Sequence, residues 1–202
     1  MPSRKTSNAR TVAGYENCAL AYAADVPPPT GWAAQSLQCL VDKLPADARV
    51  LEIGSGPGWD ADFLEERGLS VHRTDVTAAF VDFQIQRGKA AQRLDALTDE
   101  IAGRYDGIAM LCVLQHFERA DLDAVLRKFA AALDDDGLLL ASYPLGEDEY
   151  WQKTDSGDYR VVRWSSGAMD ERLRAAGFAV EWDLEQEFDS GPWRAVLARR
   201  RA

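Results

Sequence analysis

Two runs in this chain are apolar almost without interruption: Ile108-Ala109-Met110-Leu111-Cys112-Val113-Leu114 and Leu138-Leu139-Leu140-Ala141-Ser142-Tyr143. A strand with one wet face alternates apolar and polar residues. A strand with no polar face is covered on both sides, as in a parallel sheet lying between helices. The segments around these runs carry the helical period. Ala33, Leu37, Leu40, Val41 and Leu44 recur at that spacing after the rigid stop Pro27-Pro28-Pro29, and Leu122, Val125, Leu126, Phe129 and Leu133 do so between the two apolar runs. Shorter strands are expected at 49–53, 70–74 and 91–94, a helix at 60–67 stopped by Gly68, and a helix at 169–175 stopped by Gly177. Strand–helix repeats of this kind specify a parallel sheet with helices on both faces. The chain ends differently. Strand signals at 178–184 and 193–198 are separated by Asp189-Ser190-Gly191-Pro192, too short a link for a crossover helix, so these two strands run antiparallel.

Composition bounds the rest. A chain of 202 residues, 47 % hydrophobic and 28 % charged, builds one domain with a core that needs no disulfide staples. Lys and Arg number 23 against 33 Asp and Glu, a net charge of −10, which disfavours non-specific binding to nucleic acid or to an anionic membrane. The basic residues Arg4, Lys5 and Arg10, and Arg199, Arg200 and Arg201, read as a solvated tail and a solvated strand end. Cys18, Cys39 and Cys112 are too widely spaced for a metal knuckle or a disulfide framework, so no metal is expected. Asp134-Asp135-Asp136-Gly137 lacks the alternate spacing of a calcium loop and reads as a turn. The opening MPSRKTSNAR has no apolar run, and no stretch approaches a membrane span. The expectation is a soluble cytoplasmic protein, monomer or homodimer.

The segment with the most chemistry is Val50-Leu51-Glu52-Ile53-Gly54-Ser55-Gly56-Pro57-Gly58-Trp59. A buried strand ends, glycines turn the chain, and a helix starts. Backbone there can touch a ligand, and the helix start presents unpaired N–H groups. A dinucleotide fingerprint needs G-x-G-x-x-G. Here the third glycine is displaced and Trp59 stands where close packing wants a small residue. Glu52 in the preceding strand repels phosphate and suits a cationic ligand. Asp75, at the end of the second strand with Val76 beside it, can accept from both hydroxyls of a ribose. Asp95 can accept from an adenine amino group while the Ala96 N–H reaches a ring nitrogen.

With those residues in view, 51–58 resembles motif I of the class I S-adenosylmethionine-dependent methyltransferases. Tyr105-Asp106-Gly107-Ile108 is similar to that superfamily's approach to its fourth strand, and Val113-Leu114-Gln115-His116-Phe117 to the exit from it. Residues 133–139 resemble its turn into strand five, with Asp135-Asp136-Gly137 in place of Pro-Gly-Gly. The likeness runs from about Tyr15 to Arg200. It implies a Rossmann-like, mostly parallel sheet with helices on both faces and a C-terminal antiparallel strand, one domain over 1–202. It also implies S-adenosylmethionine as cofactor, S-adenosylhomocysteine as product, and methylation of an O or N nucleophile on a small metabolite or modified peptide. The family usually has Asp where Glu52 stands and often Asn near Leu111, which leaves one contact to the backbone of Leu111 and Cys112. Residues 1–30 resemble a lid segment, with Tyr22 toward the cofactor and Tyr15 toward the acceptor, unless both tyrosines simply pack in the core.

The acceptor side is less determined. His116 lies at the carboxyl end of strand four and is the candidate catalytic base, or else a brace for its loop. His72 reads as structural. Residues 145–165 read as a polar, irregular loop covering the acceptor, with Tyr150, Trp151 and Trp164 (and Tyr159) as an aromatic wall and Arg160 and Arg163 as charged contacts. Two other functions stay open: a nicotinamide-dependent oxidoreductase on the same kind of sheet, and a methyltransferase acting on RNA or protein.

Overall fold

The computed structural model describes residues 4–201, with side chains from residue 8 onward. Nine strands and six α-helices alternate along the described chain: α1 Arg4–Asp25, α2 Gly31–Lys43, β1 Arg49–Ile53, α3 Trp59–Glu65, β2 Ser70–Asp75, α4 Ala78–Gln86, β3 Ala91–Arg93, β4 Tyr105–Met110, α5 Arg119–Ala132, β5 Leu133–Pro144, β6 Glu149–Thr154, β7 Gly157–Val162, α6 Ser166–Ala175, β8 Phe178–Phe188 and β9 Gly191–Arg200. Seven strands form one sheet in the order β3-β2-β1-β4-β5-β9-β8. The pairs from β3 to β5 are parallel, and β9 runs antiparallel to both β5 and β8. The order reverses between β1 and β4, and a crevice for ligands opens at the carboxyl ends of the strands on such a reversal.

Both faces of the sheet are dry, for the reason the apolar runs imply. Leu51 and Ile53 of β1, and Ile108 and Met110 of β4, pack on one side with Leu122, Val125 and Phe129 of α5 and Leu173 of α6. Val50 and Ala109, one residue out of phase, pack on the other side with Leu37 and Leu40 of α2 and Leu64 of α3. Period-two alternation is present, but both phases are apolar. No helix among the described residues is long and apolar enough to cross a membrane.

Several boundaries differ from the sequence reading. The fourth strand stops at Met110 and does not run to Leu114. Cys112 adopts φ +56°, its N–H is taken by Ser142 Oγ at 2.8 Å, and a single 3-10 turn, Leu114–His116, follows. The acidic run lies inside β5 as an irregularity, with Asp136 at φ +64° and the register with β4 slipping between Tyr105 and Gly107. The expected irregular loop at 145–165 is mostly a β-hairpin, with Tyr150 opposite Val161 and Trp151 opposite Arg160. The N-terminal stretch is the start of α1. Arg10 there pairs with Asp158 and lies 4.3 Å from the Trp151 ring centre. The side chains of Arg4 and Lys5 lie outside the described residues. At the other end, Arg199 pairs with Glu181 and Arg200 with Asp135.

Candidate active site at the carboxyl ends of the strands

A cavity of about 260 Å³ lies over the end of the sheet, floored by the glycine turn and roofed by α1. The turn is held from below. Ser55 N–H donates to the Thr74 carbonyl at 2.9 Å, and Asp75 Oδ2 accepts from Gly56 N–H at 2.8 Å. Asp75 Oδ1 accepts from Thr77 N–H, also at 2.8 Å. The Thr77 hydroxyl bonds the same carboxylate, which keeps acceptor capacity beyond these three bonds, and Asp75 and Val76 line the cavity. Gly56 has φ +52°, and a Cβ there would meet nothing within 4 Å, so the backbone is bare toward the cavity. Gly58 has another task. A Cβ on it would come within 2.5 Å of Gln84 Oε1 and 2.7 Å of Arg73 Nη1. The displaced third glycine is therefore a packing glycine after all. Trp59 stays out of that slot, against Arg87 at 4.1 Å and on the cavity wall.

Arg73 ties α3 to β2. Its side chain is 1 % exposed and reaches Asp62 at 2.6 Å and Glu65 at 2.7 Å on α3, and the Gly58 carbonyl at 3.1 Å. A buried guanidinium requires such partners, and here they clamp the helix along its length onto β2.

The carboxylates divide differently from the sequence reading. Glu52 does not line the cavity. It is 4 % exposed, accepts from Ser55 Oγ, and burial, with Asp60 nearby, pushes its carboxyl up to about 8. Asp60 in the first turn of α3 does line the cavity, and burial pushes it up to about 6. Among the described residues no hydrogen bond or ion pair reaches its carboxylate. The one legible signal for Asp60 is an acid in the first helical turn after the glycines. Thr11, Trp32 and Phe80 also line the cavity, and nothing in their spacing marks them. Asp95 and Ala96 line it from the β3 end. There the Asp95 carboxylate accepts from Leu97 N–H at 2.9 Å and meets Asn8 Nδ2 at 3.5 Å. Gly54, Ser55, Leu111 and Cys112 complete that side.

Opposite stand Tyr15, Tyr22 and His116. The Tyr15 and Tyr22 rings meet edge-on at 5.9 Å, and each also meets Phe80, at 6.1 and 5.6 Å. Burial raises the Tyr15 phenol well above its ordinary value and the Tyr22 phenol to about 12. His116 has both ring nitrogens engaged: Nδ1 with the Arg160 carbonyl at 2.7 Å, and Nε2 with the Tyr15 hydroxyl at 3.0 Å. Burial pushes it down to about 4, against the opposing pull of that carbonyl.

Five expected acceptor contacts lie off the cavity wall. Trp164 is 3 % exposed within the core, with Arg119 at 4.4 Å and Arg172 at 4.6 Å from its ring centre. Tyr150 is exposed on β6 beside Arg163, which also donates to the Ser190 carbonyl. Trp151 lies between Arg10 and Arg160, and Arg160 pairs with Glu118 and Glu149. From the same hairpin Tyr159 does reach the site, stacked on Tyr15 at 4.5 Å. His72 is bonded to Tyr105 and Gln92 at the far end of the sheet.

The fold is shared with solved methyltransferase structures. A 1,6-didemethyltoxoflavin-N1-methyltransferase of Burkholderia thailandensis, with bound 1,6-didemethyltoxoflavin and S-adenosylhomocysteine, is 20 % identical at a TM-score of 0.77, over 100 % of this chain and 92 % of that one. A DhpI–SAH complex is 21 % identical at 0.77, over 98 % and 99 %. Magnesium protoporphyrin IX methyltransferase of Synechocystis PCC 6803, with bound SAM, is 17 % identical at 0.72, over 99 % and 98 %. No curated protein matches the sequence. The methyltransferase-domain family matches residues 29–181. That span is well over half of the sequence, and the chain therefore belongs to the methyltransferase-domain family, within the class I superfamily.

Proposed function

We infer that this protein transfers the methyl group of S-adenosylmethionine to an O or N nucleophile of a small molecule or modified peptide. The observation that carries the cofactor is Asp60: a half-buried carboxylate on the cavity wall with no partner among the described residues, next to a turn whose Gly56 backbone lies bare. Burial disfavours the charged form of that carboxyl, and a cation in the cavity would favour it. The cofactor brings an ammonium and a sulfonium, whereas a pyrophosphate would face Asp60 and Asp75 with like charge. That contrast also disfavours a nicotinamide cofactor. Asp75 has acceptor capacity left for the ribose, and Asp95 and Ala96, on the β3 side of the cavity, are the groups that would meet the adenine edge.

When bound, the cofactor supplies an electrophilic methyl group on a good, neutral leaving group. What remains for the protein is positioning in line and exclusion of water. The α1 roof covers the cavity and would shield it from water. It is tied down by Glu16, whose carboxylate accepts from Ala78 N–H at 2.6 Å and Ala79 N–H at 2.9 Å at the start of α4. The α1 roof over the cavity favours a small acceptor over RNA or folded protein.

Calorimetry with S-adenosylmethionine, S-adenosylhomocysteine and the nicotinamide dinucleotides tests the cofactor. The two adenosyl compounds are expected to bind and the dinucleotides not. Gly56→Arg fills the bare side of the turn and should abolish binding in a folded protein. Wild-type affinity in that variant would remove the site assignment.

A further inference from the structure

The hydrogen-bond roles around His116 follow from donor and acceptor chemistry alone. The Arg160 backbone carbonyl, 2.7 Å from Nδ1, only accepts, so Nδ1 carries the proton. Nε2 of the neutral ring is then an acceptor, and two donors face it. One is the Tyr15 hydroxyl at 3.0 Å. The other is the Gln115 amide at 3.3 Å, whose nitrogen also donates to the Cys112 carbonyl at 2.6 Å. A proton arriving on Nε2 would be pressed against that amide N–H. Among the described residues no charged group bonds the ring: from β7 the Arg160 guanidinium reaches Glu118 at 3.4 Å and Glu149 at 3.3 Å. The environment thus holds His116 as one neutral tautomer.

The consequence falls on Tyr15. Its proton is committed to His116, Tyr159 covers one ring face at 4.5 Å, and Tyr22 and Phe80 hold its edges. What Tyr15 offers the cavity is the remaining lone pair of its phenolic oxygen. We propose that Tyr15 recognises the nucleophile by accepting a hydrogen bond from it, with His116 as the positioning residue that holds Tyr15's own proton away, so that the site selects a neutral nitrogen still bearing hydrogen. This rests on the methyl-transfer reading above. Such a nitrogen attacks through its lone pair without first losing a proton. The C–N bond forms as the C–S bond breaks, the electron pair leaves with sulfur, and the extra proton on the product nitrogen passes to water. No side chain changes protonation state. A hydroxyl nucleophile would need a base, and both nitrogens of His116 are already committed.

The test needs no knowledge of the natural acceptor. Calorimetry with S-adenosylhomocysteine on wild type, Tyr15→Phe and His116→Gln should give affinities within about threefold of one another. A wild type that does not bind overturns the methyl-transfer reading itself, and this inference with it. On the wild-type complex, nitrogen NMR should show His116 neutral and protonated at Nδ1 from about pH 5 to pH 9, with its Nε2 resonance displaced in Tyr15→Phe. A midpoint between about pH 6 and pH 8, or a proton on Nε2, overturns the inference while leaving the cofactor reading intact. Pyrazole and 1-methylpyrazole then probe the pocket of the same complex, since only the first can donate a hydrogen bond. Pyrazole should bind about three- to tenfold tighter, the value of one neutral hydrogen bond. The preference should vanish in Tyr15→Phe. It should survive in His116→Gln, whose amide offers a donor to the carbonyl and an acceptor to the phenol. Equal binding of the two probes, or none, overturns the proposal, as does a preference that persists in Tyr15→Phe.

Discussion

At the residue scale, Glu52 and Asp60 make opposite predictions from one cause. Both carboxyls are raised by burial, Glu52 to about 8 and Asp60 to about 6. A raised carboxyl binds more protons folded than unfolded, so its contribution to stability is greatest below the unfolded value near 4.5 and falls as pH rises through the folded value. Glu52→Gln removes that loss, because the amide never ionises. The melting temperature of the variant, minus that of wild type, should therefore grow from pH 5 to pH 8, and scanning calorimetry at both pH values checks it. A difference that shrinks with pH would contradict a buried, neutral Glu52. Asp60 lines the cavity, so under the proposed function its titration shows in binding. The ionised form meets the cofactor's cations, so affinity should fall as pH drops below about 6, by up to tenfold per unit. Asp60→Asn should bind more weakly at pH 7.5 and lose that slope. An identical slope in the variant would assign it to another group.

At the scale of elements, the acceptor side is built by two pieces that the chain keeps far apart. The roof α1 and the hairpin β6–β7 touch through backbone: a Cβ on Gly157, at φ +145°, would come within 2.7 Å of Gly14 Cα. Asn17 Nδ2 donates to the Ser156 carbonyl at 2.9 Å across the same seam. Gly157→Val should force the seam apart at a cost of about 1–3 kcal/mol, the usual range for overpacking. Limited proteolysis should then cut within α1 sooner while the sheet stays protected. Equal protection of α1 in the variant would mean that the seam does not hold the roof. On the other side of the cavity, Arg73→Leu should cost about 3 kcal/mol by leaving Asp62 and Glu65 without their buried partner. Arg87 and Lys89 soften that loss, since both also reach Asp62. Urea unfolding measures it directly.

For the whole molecule, one cavity joins α1, the glycine turn and three strand ends, so a ligand that fills it ties together segments distant in sequence. S-adenosylhomocysteine at a hundred times its dissociation constant should add about 2.7 kcal/mol to the free energy of unfolding. For a chain of 202 residues that is a rise of roughly 5–10 °C in melting temperature. A nicotinamide dinucleotide at the same concentration should give no shift, and a shift from it alone would favour the oxidoreductase reading.

What the amino-acid sequence determined by itself is whatever depends on neighbours along the chain. The doubly apolar runs at 108–114 and 138–143 dictate a sheet covered on both faces, and the short link at 189–192 dictates an antiparallel end. Glycines between a strand and a helix mark the turn that floors the cavity, and an Asp ending the next strand marks its hydrogen-bond partner. These signals are local because backbone period, turn chemistry and chain reversal are local properties. Only the tertiary structure decided which side chains meet across the cavity. Trp164 and Tyr159 sit in the same stretch with similar chemistry, yet the register of β6 with β7 sends Tyr159 to Tyr15, and Trp164 beyond the hairpin lies in the core. Glu52 and Asp60 flank the same glycines, yet the strand's alternation buries the first behind the turn and the helix start turns the second into the cavity. His116 reads as a base from its position, until a carbonyl 44 residues later in the chain occupies its Nδ1. A one-residue change of register reverses every side chain on a strand, and the spacing of charges in sequence says nothing of which of them a helix start or a hairpin will turn inward.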